Sequence, residues 1–203
     1  MEIVPTALTL SGVALSRGGQ PLVADLSVRV EPGEVLWVTG PNGTGKTTLL
    51  LACAGLLMPD EGTIAWEKHT SSSAVAYAAH AGPERDGLSL GEELAFWQAL
   101  SGDTLALDDR LASVGLANRA ATPVSGLSAG QRRRLSLARL LGSGKPAWLM
   151  DEPLAGLDTD GQGLVSQTLA EHMSRGGLAL IASHRPVAIP GVQARKLVLE
   201  AAA

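Results

Sequence analysis

One cysteine, Cys53, is all the thiol this chain has, so no disulfide framework can staple it and its fold must rest on a buried core. Its place among apolar residues suits a core filler better than a nucleophile. No apolar run approaches the roughly eighteen residues of a membrane-spanning helix. The start, Met1-Glu-Ile-Val-Pro-Thr6, lacks the basic stretch and apolar core of a secretory leader. The expectation is a chain in a reducing compartment that does not cross a bilayer by itself. A basic surplus is missing too: 16 lysines and arginines face 20 acids, a formal charge of −4, which argues against nucleic acid as a partner. Repeats, low-complexity tracts and charged tails are also absent. At 45 % hydrophobic over 203 residues, the chain is long enough to bury a core as one generous domain.

The most informative stretch is GPNGTGKTT, Gly40 to Thr48, which fits a glycine, four residues, then Gly-Lys-Ser/Thr at every position. It follows the apolar run Glu34 to Thr39, read as a buried strand, and precedes Thr47 to Ala54, read as a helix. Gly40, Gly43 and Gly45 permit a tight curl, and with Pro41, Asn42 and Thr44 they complete a nest of backbone N–H groups at the positive end of that helix. Lys46 is placed to reach β- and γ-phosphates, Thr47 to coordinate Mg²⁺ and Thr48 to meet the α-phosphate. ATP with Mg²⁺ is therefore the expected ligand.

Strands are expected over residues 6–15 and 26–30, joined by a turn through Arg17 to Pro21, then over 63–66 and 74–78 with a polar loop at 69–73. Between residues 82 and 139 the pattern turns helical. A helix from Ser89 should carry Leu94, Trp97 and Leu100 on one face, and a shorter one should span Leu107 to Val114. Leu127-Ser128-Ala129-Gly130-Gln131 then opens a helix, because Ser128 and Gln131 have capping-box spacing, and the exposed N–H groups there make a second possible anion site. The strand Ala147 to Met150 ends in Asp151, a source of Mg²⁺ contact, and in Glu152, expected to point the other way along an extended chain and orient a water. His184 stands at the carboxyl end of the strand 177–183, where open parallel sheets hold their ligands. A last edge strand covers 196–199, and His69 and His172 read as solvated.

These motifs, in this order, resemble the nucleotide-binding subunits of ABC transporters over essentially the whole chain. The resemblance implies an α/β P-loop cassette: a central, mostly parallel sheet, an antiparallel β portion, and an inserted helical subdomain. The chain divides as a nucleotide-binding core of 1–81 and 140–203 around a helical subdomain of 82–139. It also implies Glu152 as general base, His184 as γ-phosphate sensor, Asp158 as a contact across a dimer, and Leu127 to Gln131 as a signature closing on the partner's ATP. The two anion-binding elements point the same way, since an isologous dimer would face each phosphate loop with a signature serine.

Two departures from the family pattern matter, and a third is mild. No aromatic residue precedes Trp37 to stack on adenine, so Arg17 is the candidate platform. His80 stands where the family has a glutamine that links Mg²⁺ to the helical subdomain, with a plain loop residue as the equal alternative. Ala129 in place of the signature glycine is a mild change in a first helical turn.

Within the family, the LSAGQ spelling and the segment from Arg175 to Pro186 resemble the branch serving cytochrome c maturation. That branch implies haem handling with integral membrane partners, a peripheral position on the cytoplasmic face of the inner membrane, and an ATP-dependent homodimer. No direct haem binding is expected, for no Cys-x-x-Cys-His occurs. The rival readings are a soluble ABC-type ATPase on ribosomes or nucleic acid, drawing on the run Arg132 to Arg134, a transporter subunit for another substrate, and, more weakly, a small-molecule kinase.

Overall fold

The structure, a computed structural model, describes residues 3–79, 87–101 and 105–200. Two sheets are formed. The smaller is antiparallel: β1 (Leu8–Arg17) pairs with β2 (Gln20–Val30) on one side and β4 (Glu61–Trp66) on the other. β1 turns into β2 through Gly18 and Gly19, whose φ values of 59° and 81° are those a two-residue hairpin loop requires.

The larger sheet contains β3 (Glu34–Thr39), β5 (Val75–Ala78), β6 (Ala147–Asp151), β7 (Leu178–Ala182) and β8 (Gln193–Val198) in the order β5-β6-β7-β3-β8. Every pairing in it is parallel. The reason lies in composition, since β3, β6 and β7 are buried along their whole length and carry apolar residues on both faces.

Alternate residues of these strands divide the interior in two. Val35, Trp37, Trp148, Met150, Ala179 and Ile181 face one core with α3 (Leu90–Ser101), α4 (Leu107–Ser113), α5 (Ala129–Leu141) and α6 (Thr159–Ser174). Leu36, Val38, Leu149, Leu178 and Leu180 face the other, packed against the antiparallel sheet and α1 (Lys46–Cys53). Cys53 is buried in that second core, and burial pushes its thiol up to about 12, so it is inert filler.

Helix boundaries follow their caps. Ser89 and Glu92 bond reciprocally ahead of α3, with Glu92 Oε2 accepting from the Ser89 amide at 2.8 Å and the Glu92 amide reaching Ser89 Oγ at 3.3 Å. Only part of the expected α3 face is realised: Leu94 is buried and Trp97 half-buried, but Leu100 is 65 % exposed where the helix runs past the core. Inside, Glu93 is paired with Arg139 of α5 and accepts from Trp97 Nε1 at 2.9 Å. The polar stretch at 69–73 is also more ordered than a loop. Thr70 and Ser73 form a capping box that starts a one-turn helix, α2 (Ser71–Ala74).

His172 is not solvated. It is 4 % exposed, stacks on Trp148 with 3.8 Å between ring centroids at 7°, and donates from Nε2 to the Pro146 carbonyl at 3.2 Å. The ring also lies against Gly177, where a Cβ would come within 2.3 Å of Nε2. Burial lowers its pKa from 6.5 to about 4. The neutral ring is thus favoured by folding: its stabilisation is intact above pH 6.5 and is lost as pH falls toward 4, by about 3 kcal/mol. Urea denaturation of wild type and His172→Gln at pH 7.5 and pH 4.5 tests this. Wild type should lose about 2 kcal/mol more than the variant across that interval; parallel losses would show that the ring titrates normally.

Candidate nucleotide site

Three neighbouring strands deliver the site to one edge of the parallel sheet. β3 ends at Thr39 and runs into the glycine loop, β6 ends at Asp151 and is followed by Glu152, and β7 is followed by Ser183 and His184. Around these ends opens a cleft of about 800 Å³ lined by Asn42, Gly43, Gly45, Lys46, Thr47, Thr48, Asp151, Glu152 and His184. Gly40, Pro41 and Thr44 build the loop behind that lining. Thr44 Oγ1 donates to the Pro41 carbonyl at 3.0 Å, and Lys46 Nζ lies 2.9 Å from the Gly40 carbonyl and 2.8 Å from that of Pro41. Helix α1 begins at Lys46 after Gly45 with no side-chain cap, so its first turn offers amides and the positive dipole end to an anion.

The glycines have separable reasons. At Gly40, with φ at +144°, a Cβ would stand 2.2 Å from the Leu199 carbonyl, so the constraint there is the backbone just after β8. At Gly43, with φ at +83°, a Cβ would meet nothing within 4 Å. Its surroundings are left open, and only the backbone conformation asks for glycine.

Thr47 Oγ1 donates to Asp151 Oδ2 at 2.8 Å, joining α1 to the end of β6. This pair of oxygens fits Mg²⁺, a hard cation that takes one or two protein oxygens and completes its shell with phosphate and water. No cluster of three or more His, Cys, Asp or Glu suited to a metal occurs among the described residues. His80, the third metal candidate, lies outside them.

Glu152 departs from the extended conformation expected of it. Its φ is +49°, its amide donates to the Ala182 carbonyl at 2.8 Å, and the chain turns sharply there. The turn brings its carboxylate, 19 % exposed, beside His184, with Glu152 Oε1 3.4 Å from His184 Nε2. Oε1 is buried and makes no hydrogen bond, while the carboxylate as a whole keeps partial exposure to the cleft, where it could accept a proton from a water. His184 Nε2 also lies 2.8 Å from Asn42 Oδ1.

Arg17 lines the cleft, and beside it stand two residues that motif reading missed, Gln20 and Leu22, together with Ala155 beyond Glu152. The signal for the first two was the Gly18-Gly19 turn, which sets the start of β2 opposite Arg17.

Leu127 to Gln131 do not line this cleft. Ser128 caps α5 as the spacing predicts, its Oγ accepting from the Gln131 amide at 3.3 Å while Gln131 Oε1 accepts from the Ser128 amide at 2.9 Å. Ser128 and Ala129 are exposed, Gly130 and Gln131 half-buried, and Leu127 is anchored in the core. Asp158 caps α6, accepting from the Gly161 amide at 2.8 Å, and meets Arg134 Nη2 at 3.4 Å with its side chain 71 % exposed. The arginine run is engaged internally: Arg132 donates to the Leu127 and Ser125 carbonyls, both at 3.2 Å, and Arg133 to that of Ala79 at 3.5 Å.

Comparison with known proteins bears on the family and the fold. A family model described as ABC transporter matches residues 23–155. A relative from Rhodopseudomonas palustris, named cytochrome c biogenesis ATP-binding export protein CcmA, is 42 % identical over 197 residues, which is 95 % of this chain and 97 % of the relative. A protein of the same name from Xanthomonas oryzae pv. oryzae is 42 % identical over 210 aligned positions, covering 100 % and 98 %. Among solved structures, a nucleotide-free ATP-binding cassette from an ABC transporter superposes with a TM-score of 0.80 at 21 % identity, over 100 % of this chain and 90 % of that one.

The two glycines give a test of the loop. Gly43→Ala should cost about 1–2 kcal/mol of stability through its positive φ, while Gly40→Ala should cost more because a backbone carbonyl must also move. Urea denaturation of the nucleotide-free variants measures both, and equal losses would mean that Leu199 does not constrain the loop.

Proposed function

The chain belongs to the ABC transporter family as an ATP-binding subunit, and on that premise we propose that it hydrolyses MgATP as a two-fold dimer to drive an export step in cytochrome c biogenesis. The observation that carries the hydrolytic reading is the meeting of the glycine loop, Asp151, Glu152 and His184 in one cleft. A water beside the Glu152 carboxylate attacks the γ-phosphorus, Glu152 takes its proton, and the bond from the γ-phosphorus to the bridging oxygen breaks to give ADP and phosphate. Lys46 holds the phosphates, while His184 donates from Nε2 to the γ-phosphate and so reports its presence. Thr47 and Asp151 would hold Mg²⁺, which supplies neutralising charge to the β- and γ-oxygens when bound. Arg17, with Gln20 and Leu22, forms the end of the cleft for the base.

The dimer is supported by what the cleft leaves out. Ser128 opens a helix whose capped end is exposed and contributes nothing to the chain's own phosphate site. On a second copy it would complete the site around ATP, with Asp158 at the same seam. Loss of the γ-phosphate then releases the clamp and turns a binding event into movement.

The named relatives are export proteins of cytochrome c biogenesis, matched along nearly their full length. That supports haem handling as the load, with integral membrane subunits carrying the path. Among the described residues no helix is long and apolar enough to cross a membrane. In this reading the chain sits peripherally at the cytoplasmic face of the inner membrane, held by those subunits. The internal bonding of Arg132 to Arg134 counts against a nucleic-acid surface.

Glu152→Gln should keep nucleotide affinity within about threefold while cutting turnover by about a hundredfold or more. Lys46→Ala should weaken nucleotide binding itself by about tenfold or more. Steady-state hydrolysis and equilibrium binding of a fluorescent ATP analogue measure both, and equal turnover by wild type and Glu152→Gln would remove Glu152 from the base role. Cells deprived of the chain should lose covalently haem-bearing proteins on a haem-stained gel; their persistence would assign the subunit to another load.

A further inference from the structure

In the reading above, Leu22 stands at the base end of the cleft, where no aromatic ring is found among the described lining residues. Its neighbours there, Arg17 and Gln20, are both exposed, whereas Leu22 is half-buried and packs on the second core. The backbone carrying it is fixed, since Val23 is buried and paired in register with Leu15 of β1. Leu22 also lies on the start of α1: a Cβ at Gly45 would come 3.0 Å from Leu22 Cβ and 3.6 Å from its Cδ1. An apolar surface is thus held beside the backbone that receives phosphate, one residue before Lys46. Arg17 could cover a base only by giving up the rotamer freedom of an exposed side chain, a cost that folding has already imposed on Leu22.

We propose that Leu22 is the platform on which the base rests, and that this platform reads the area of a purine and not its hydrogen-bonding edge, so that the chain takes GTP nearly as well as ATP. Resting on the nucleotide reading above, this names the substrate class of the same site: purine nucleoside triphosphates. Adenine presents a donor at its 6-amino group and an acceptor at N1, and guanine the reverse at O6 and N1–H. A site separates such edges strongly only when the wrong base leaves a buried polar group unpaired. The Gln20 amide carries both a donor and an acceptor and can turn to meet either edge. It is exposed, so water satisfies it with either base. The Arg17 guanidinium donates only, but it is exposed as well, and water replaces whatever partner it loses. Contact with Leu22 is apolar and equal for the two rings.

Calorimetric titration of the whole chain, with Mg²⁺ present, tests this without turnover. Wild type should bind ATP and GTP within about tenfold of each other. Leu22→Ala should weaken both by about five- to tenfold and to the same extent. Leu22→Met, which keeps the apolar area, should weaken them by less than about twofold, and so should Arg17→Ala. Inorganic triphosphate fills the phosphate loop and has no base, so wild type and Leu22→Ala should bind it alike. That control separates loss of a platform from distortion of the loop behind it. A wider gap between ATP and GTP would overturn the proposal, as would a Leu22→Ala variant that binds both nucleotides as wild type does. It would also fall if the Leu22→Ala loss extended equally to inorganic triphosphate, or if Arg17→Ala lost more than Leu22→Ala. Failure of wild type to bind ATP, GTP and inorganic triphosphate alike would instead strike the nucleotide reading itself.

Discussion

Parallel pairing is the constraint on which the rest depends. Because β3, β6 and β7 lie side by side and run the same way, their carboxyl ends reach one edge together, and each brings a different chemical group. β3 brings the glycine loop, β6 a carboxylate pair, and β7 an imidazole. Such strands need apolar residues on both faces, which is why Trp37, Leu149 and Ile181 lie deep in the molecule although none touches the cleft. The last strand belongs to the same scheme. The Leu199 amide bonds to the Thr39 carbonyl at 2.7 Å, and the Leu199 carbonyl closes against Gly40, so the residue that follows β8 braces the glycine loop.

Local strain sits where the chemistry does. A glutamate at φ +49° costs roughly 1–2 kcal/mol relative to an ordinary conformation, and the bond from its amide to Ala182 together with the buried Pro153 and Leu154 that follow it hold it there. The result is a carboxylate turned toward His184, with one oxygen kept free of other partners. An extended residue at this position would have carried the carboxylate elsewhere.

Much of this was legible beforehand. The glycine loop, the three buried strands and the serine cap of α5 follow from local rules acting within a few residues, and local rules are what a sequence displays. Most of the misses were tertiary. His172 gives no local sign of burial, since its partners are Trp148 and Gly177, brought together by the packing of α6 on β6 and by the turn into β7. Glu152 bends where nothing in its residue type favours bending. Gln20 and Leu22 line the cleft beside Arg17 at the start of β2, and Leu100 stays exposed because α3 outruns the core it packs on. Only α2 was a local signal passed over: Thr70 followed three residues later by Ser73 is a cap, obscured by the serines between.

The proposed function depends on division of labour between copies, with one subunit's phosphate loop closed by the other's Ser128. Sedimentation of Glu152→Gln with MgATP, alone and with Ser128→Arg added, measures this directly. The account predicts a nucleotide-dependent dimer that the second substitution abolishes while nucleotide binding persists. A monomer throughout, or a dimer indifferent to residue 128, would contradict it.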